Sequence, residues 1–379
     1  MSASSATGQT YTAELVAFLS ELDNGPLECL LGFATANSPD DGHKLLAFRD
    51  DLSDRAAALQ HLLVQHDKLL QAHPAKARAL QARSVANFIM TTNKLEFVGT
   101  ETVGDTMAVL AGRPPSSTTE EQRTATLNTY KLLVETYSDK TVYYQIPDKM
   151  SLLSWHGKLC PDMPQAGKLR KVGAKSNKLD GGEHRFPHHD SVPPLVTKLC
   201  TAVWRIASII CPGGSYVDED PVQRLTSVFA LAAFLQFHFV DIHPFEDGNG
   251  RMCRFLSKRI LDAVLPFPCP MFSDRTQYLS TLERCRAVGA EDARNAPLPL
   301  AELLFDEAIN MYRALVREAK DYADGVVAGS TREEFMAAVA ELDEQLQNPV
   351  SELWDRLVLN EEQRVNVAGK VIRVIRFSE

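Results

Sequence analysis

The stretch Asp241-Ile242-His243-Pro244-Phe245-Glu246-Asp247-Gly248-Asn249-Gly250-Arg251-Met252-Cys253-Arg254 follows the most apolar segment of the chain and opens a new helical pattern. Two glycines allow a tight turn and let backbone N–H groups approach a ligand closely. A helix starting directly behind them offers free amides and the positive end of its dipole, which suits phosphate. Arg251 and Arg254 lie three apart, share a helix face and add fixed positive charge there. Asp247 is a hard oxygen ligand of the kind that holds the Mg²⁺ accompanying a nucleotide. His243 titrates near neutral pH and can take a proton from an attacking hydroxyl. Taken singly, each part is ordinary: a histidine at a helix end caps it, Gly-Asn-Gly makes a turn, and an arginine pair is a solvated face. Together they supply base, metal ligand, anion cradle and arginine clamp, the parts of phosphoryl or nucleotidyl transfer.

Upstream of this stretch, Pro221–Val240 is apolar on all sides, the mark of a central buried helix. Apolar residues at three- and four-residue spacing predict helices over Tyr11–Leu31 and His43–His73, the latter with a leucine stripe and a break at Pro74. Further helices are expected at Ala75–Met90, Glu96–Leu110, Glu120–Thr136, Lys149–Lys158 and Leu195–Ile210. Beyond the motif they recur at Arg251–Val264, Arg275–Ala287, Pro299–Tyr322 and Arg332–Leu346. Gly112–Thr119 reads as a loop, and Leu159–Pro194 as a long loop carrying a short hairpin around Lys168–Asn177. The last segment, Asn366–Phe377, alternates like a strand. The fold class is therefore all-α with one short hairpin.

Composition narrows the partners. The 379 residues carry a formal net charge of −9, with no long basic run, so a nucleic-acid partner is not expected. The 7 cysteines show no metal or CxxC spacing, and free thiols in a reducing compartment are expected. The first residues, MSASSATGQTYTAEL, have no basic and apolar signal pattern, and the longest apolar run, Val228–Leu235, is short for a bilayer. A cytoplasmic or nuclear protein without a membrane partner is the expectation.

The quoted stretch matches, at every specified position, the signature His-x-Phe-x-(Asp/Glu)-Gly-Asn-Gly-Arg-x-x-Arg of the Fic family. A chance match in a chain this long is on the order of one in fifty million at typical residue frequencies, so coincidence is set aside. Gly167-Lys168-Leu169-Arg170-Lys171-Val172 resembles the start of that family's flap hairpin and Phe186-Pro187 its exit, while Tyr278-Leu279-Ser280-Thr281-Leu282 resembles the helix closing the adenine pocket. The resemblance implies a Fic-type helical bundle with a hairpin flap, flanked by extra N- and C-terminal helices. It divides the chain into an N-terminal helical region (1–83), a catalytic domain (84–322) and a C-terminal helical tail (323–379). It also implies ATP and Mg²⁺ as cofactors and AMP transfer to a Ser, Thr or Tyr hydroxyl of a target protein, an adenylyltransferase activity. Carried over, His243 is the general base, Phe245 anchors the loop, and Asp247 holds Mg²⁺. Gly248, Asn249 and Gly250 form the anion hole, and Arg251 and Arg254 bind the β- and γ-phosphates. The hairpin at 171–177 holds the target as an added strand. Gly250 stands where the phosphorylating branch has Lys, which favours AMP.

Two departures keep other groups open. Arg286 stands where the family often has an Asn on adenine, and the hairpin is rich in Lys. UMP, phosphocholine or phosphate transfer, and a silent peptide-binding module, are the alternatives. The family's inhibitory pattern, (Ser/Thr)-x-x-x-Glu-(Gly/Asn), is met by Thr92 and Glu96 but has Phe97 in the last position. It implies autoinhibition by Glu96, and the same carboxylate would also serve removal of AMP. A homodimer and the target's identity stay open.

Overall fold

A computed structural model describes residues 47–72, 74–138, 147–210, 220–269, 271–323, 364–367 and 370–373. Ten α-helices dominate the described residues. After a 3-10 turn at Ala47–Leu52 come α1 (Ser53–Ala72), α2 (Pro74–Lys94), α3 (Val103–Leu110), α4 (Glu120–Ser138) and α5 (Lys149–Leu159). Strands β1 (Lys175–Asn177) and β2 (Glu183–Arg185) precede α6 (Val192–Ile210), α7 (Pro221–Ile242), α8 (Asn249–Leu261), α9 (Arg275–Glu291) and α10 (Leu298–Ala323). The all-α expectation with one small flap hairpin holds for this domain.

The organising element is α7. Pro221 starts it, where the missing N–H is harmless, and every residue from Leu225 to Ile242 is buried. It is long and apolar enough to cross a membrane by composition, with mean hydropathy 1.6, yet its apolar window is wholly enclosed by protein. Helices α1, α6, α8 and α10 pack around it. Phe229 stacks on Phe305 of α10 with ring centroids 3.9 Å apart. Toward α8 the contact is polar: Ser257 donates to Gln236 Oε1 (2.6 Å) and lies 3.1 Å from the Ala232 carbonyl. The chain reverses between α7 and α8 through two left-handed residues, His243 (φ 49°) and Gly248 (φ 77°).

Several expectations are corrected here. No helix spans 96–110: Phe97 and Gly99 take φ of 58° and 76°, which stops α2, and Thr102 caps α3 by accepting from the Asp105 N–H. The boundary expected after residue 83 falls inside α2, and α1 packs on α10 and α7, so the described N-terminal residues belong to the same core. The hairpin pairs Lys175 with Arg185 and Asn177 with Glu183, several residues beyond the 168–177 expectation. Arg170 is the reason, because its N–H is taken by the Pro244 carbonyl (2.9 Å) and 168–173 is thereby laid on the motif loop. In the tail, 364–367 and 370–373 form an antiparallel hairpin, in keeping with the strand-like alternation and not with a helix there. The helices expected at 11–31 and 332–346 lie outside the described residues. Cys160, Cys200, Cys253 and Cys285 are free and buried, and Cys269 is buried; Cys29 and Cys211 are outside the described residues.

Two core histidines are buried at a cost. His66, wedged edge-on against Phe267 and Tyr312, and His238 inside α7 have no partner for either ring nitrogen. Burial pushes each from 6.5 to about 4. A histidine that is neutral when folded and basic when unfolded opposes folding as pH falls from 6.5, and the penalty is complete near pH 4. Each contributes at most about 3 kcal/mol at the acid end. Urea midpoints should therefore drop steeply between pH 6.5 and 4, and His66→Phe should flatten that slope by at most about a third, because His243 is pushed down to about 4 as well.

Candidate active site

Residues 243–250 form a rigid loop because three side chains brace it from within. Phe245 is fully buried and stacks face to face on His156 of α5, ring centroids 3.8 Å apart. His156 Nδ1 accepts from the Gly167 N–H (3.0 Å), so its Nε2 carries the proton and donates to the Asp247 carbonyl (3.0 Å). Asn249 spends both ends of its amide on Phe245: Oδ1 accepts from the N–H (3.0 Å) and Nδ2 donates to the carbonyl (2.8 Å). It shapes the loop, and only its backbone N–H, in the first turn of α8, is left for an anion. Gly248 must be glycine on two counts, its φ of 77° and a would-be Cβ only 2.8 Å from Cys160 Sγ.

Above this loop lie the two arginines. Arg254 is fully buried, yet its Nε and Nη1 have no partner, and the same is true of Arg251 Nε. Arg251 Nη2 contacts Cys160 Sγ at 3.2 Å and stands 3.8 Å from Asp247. Arg254 Nη2 donates to Glu96 Oε1 (2.5 Å) and to the Thr92 carbonyl (2.9 Å). The Thr92 hydroxyl itself is buried without a partner, so Thr92 acts through its backbone. Glu96 overhangs the loop so closely that a Cβ on Gly250 would overlap its Oε1. Burial works to raise the Glu96 carboxyl, but Arg254, with Arg251 and Arg275, outweighs it and holds the group ionised.

His243 sits at the other end, its ring stacked on Phe186 of the flap exit (4.0 Å). Burial, reinforced by the charge of Arg170, pushes it down to about 4, so it is neutral at physiological pH. Arg170 is the residue that sequence reading passed over. Its guanidinium donates to the carbonyls of His243 (2.7 Å), Val172 (2.8 Å) and Pro187 (2.5 Å). It thereby caps the C-terminal end of α7 and ties the flap to the histidine. His156 and Cys160 were missed for the same reason, since their role exists only across α5 and the loop. Arg286 donates to the buried Asp241 (2.8 Å), which also lies 3.5 Å from His184 of β2.

A tight loop, two buried arginines and a neutral histidine thus meet where α7 gives way to α8 in a helical bundle. Residues 147–261 match the Fic/DOC family profile, and the chain carries a Fic/DOC domain there. A Fido domain-containing protein of Dictyostelium discoideum is 47% identical over 58 residues, 15% of this chain; the match spans 41% of that relative's length. Among solved structures, a Fic domain-containing signaling protein from Bacteroides thetaiotaomicron superposes with a TM-score of 0.57 at 20% identity, over 69% of this chain and 97% of its own. Fic-1 from C. elegans does so with a TM-score of 0.52 at 16% identity, over 70% and 72%. At these identities the two structures bear on the fold alone.

Arg170→Ala should leave the carbonyls of His243, Val172 and Pro187 short of a donor, and each buried bond to a charged group is worth about 1.5–3 kcal/mol. Stability should fall by several kcal/mol on this scale, and amide exchange should quicken in 171–187 and 243–247 before the rest of the domain. Arg170→Lys should rescue little, since an ammonium cannot serve carbonyls lying in separate directions.

Proposed function

We propose that this chain is a protein adenylyltransferase that moves AMP from ATP–Mg²⁺ to a Ser, Thr or Tyr hydroxyl of a target protein and is held in check by Glu96. The observation that carries the reading is the Glu96–Arg254 pair above Gly250: a carboxylate stands where an anion is required, against buried guanidinium nitrogens that lack partners. The residues fit the missing groups. Arg251, Arg254 and the backbone N–H groups at the start of α8 would hold the phosphates. Asp247, two-thirds exposed and 3.8 Å from its nearest cation, would hold Mg²⁺. When bound, that ion offsets phosphate charge.

The neutral His243 ring, oriented by Phe186, accepts the proton of the attacking hydroxyl as its oxygen bonds to the α-phosphorus and pyrophosphate departs. Glu96 opposes this geometry. Its charge and a γ-phosphate at about 4 Å would repel by roughly 4 kcal/mol at an effective dielectric of about 20. The nucleotide is thereby turned from in-line attack. The same carboxylate can orient water onto a modified hydroxyl, so removal of AMP belongs to the Glu96-in state. The family resemblance supplies adenine as the base. An added mass matching UMP, phosphocholine or phosphate on a modified protein would transfer the mechanism to that group.

Glu96→Gly should raise transfer tenfold or more, each ~1.4 kcal/mol of relieved repulsion being a factor of ten, and should abolish AMP removal. His243→Ala in that background should lower transfer by about two to four orders of magnitude while ATP binding survives. Equal transfer by wild type and Glu96→Gly on one substrate would reduce Glu96 to a structural partner of Arg254.

A further inference from the structure

The segment from Lys168 to Arg185 carries six Lys and Arg against two acids, in a chain whose net charge is −9. Not all of that charge is spare. Arg170 is buried under the loop, while Lys175 and Arg185 each meet Glu183 at 2.8 Å. Lys168, Lys171 and Lys178 are exposed, and among the described residues none has a carboxylate within ion-pair reach. Interspersed with them are Val172 and Leu179, whose large apolar side chains are 54% and 48% exposed.

The backbone beside these lysines is also open. Phe186 donates to the Ala174 carbonyl (3.1 Å) and Lys178 to that of Gly182 (2.8 Å). Bonded and non-bonded rungs alternate in an antiparallel pair, so Lys175 and Asn177 turn their N–H and C=O groups to the outer side of β1. The sheet has two strands, and no third strand covers that edge among the described residues. The hairpin is held ready, because Leu179 N–H donates to Glu283 of α9 (2.7 Å) and Arg170 grips its base.

We propose that this edge selects the target by charge: it takes an extended, acidic segment carrying the acceptor hydroxyl. The proposal rests on the reading that a target hydroxyl reacts at His243. Phe186 stacks on His243 and pairs with Ala174, so an acceptor opposite that rung faces the base. Lys171 and Lys178 lie three and four residues either side of Ala174, roughly 10–13 Å at about 3.3 Å per residue. Acidic side chains three to four positions from the hydroxyl would meet them, and backbone pairing would supply the sequence-independent part of the affinity.

The test uses the full chain and labelled peptides with one central threonine, flanked by Asp/Glu, by Gln/Asn or by Lys/Arg, with binding read by fluorescence anisotropy. Acidic peptides should bind about tenfold tighter than neutral ones, three exposed pairs being modest individually, and the margin should shrink with salt. The triple substitution Lys168→Glu, Lys171→Glu, Lys178→Glu should reverse the order and favour the basic peptide. Equal binding of the three peptides, no binding, or an order unchanged in the triple variant overturns the proposal. Nucleotide transfer to the same peptides is measured separately with Glu96→Gly. Charge-selective binding without transfer leaves the flap assignment standing and removes the transferase reading.

Discussion

A guanidinium with no solvent contact has to find an anion, because taking a full charge out of water without a partner costs several kcal/mol. Arg254 imposes that demand at the centre of this domain, and much of the surrounding architecture answers it. Helix α2 comes close enough for its last turn to offer the Thr92 carbonyl and for the turn just after it to offer the Glu96 carboxylate. Gly250 lacks the Cβ that would exclude that carboxylate. The α7–α8 reversal is tight enough to place Arg251 beside Arg254, and Phe245 and Asn249 keep it so. Two arginines at one loop leave donor capacity beyond what Glu96 fills, and the partnerless Nε and Nη1 atoms are that surplus.

Glu96 reaches Arg254 from a turn that is itself under tension. Phe97 holds φ at 58°, a left-handed conformation costing a non-glycine residue about 1–2 kcal/mol. Its ring is 80% exposed and lies beneath the Arg275 guanidinium (4.9 Å), whose Nε also donates to the Leu95 carbonyl (3.0 Å). A cation–π contact at an exposed site contributes about 0.5–1 kcal/mol, so it offsets part of the strain and not all of it. The Glu96 turn is thus stable mainly through the ion pair with Arg254. Whatever competes for Arg254 removes the principal force holding the turn.

The loop from His243 to Arg254 was legible as a tight reversal before a new helix because its signals are local: two glycines, then a helical run carrying the arginines. The central helix was legible too, since an all-round apolar segment can only be enclosed. What escaped reading depends on partners far along the chain. The flap register is set by Arg170 meeting Pro244 and His243, and the loop's underside by His156 on α5 and Cys160 just past its end. None of these leaves a mark in its own neighbourhood. The start of α3 was placed too early, at Glu96, because Phe carries no left-handed signal; Gly or Asn at position 97 would have announced the turn. Asn249 entered the anion hole only through the family resemblance, and the bonds of its amide to the Phe245 backbone leave no mark in the sequence.

Flap and base form one mechanical unit. Arg170 fixes the His243 carbonyl, the flap entry at Val172 and the flap exit at Pro187, while Phe186 fixes the imidazole plane. The same two neighbours set the basicity of the ring, by burial and by the nearby positive charge. An imidazole held near 4 is a weak base, which limits its pull on a hydroxyl of much higher pKa. In the proposed reaction that weakness is corrected by the substrate. Phosphate charge arriving at Arg251 and Arg254 favours the protonated imidazole and raises its pKa, as any nearby anion does. Basicity and a correctly placed α-phosphorus then appear together, so the histidine becomes an effective proton acceptor only when there is something for the hydroxyl to attack. An aspartate or glutamate in its place would respond in the same direction, but would be pushed away by the phosphates once ionised. A neutral base is the one that an anionic substrate can strengthen without repelling.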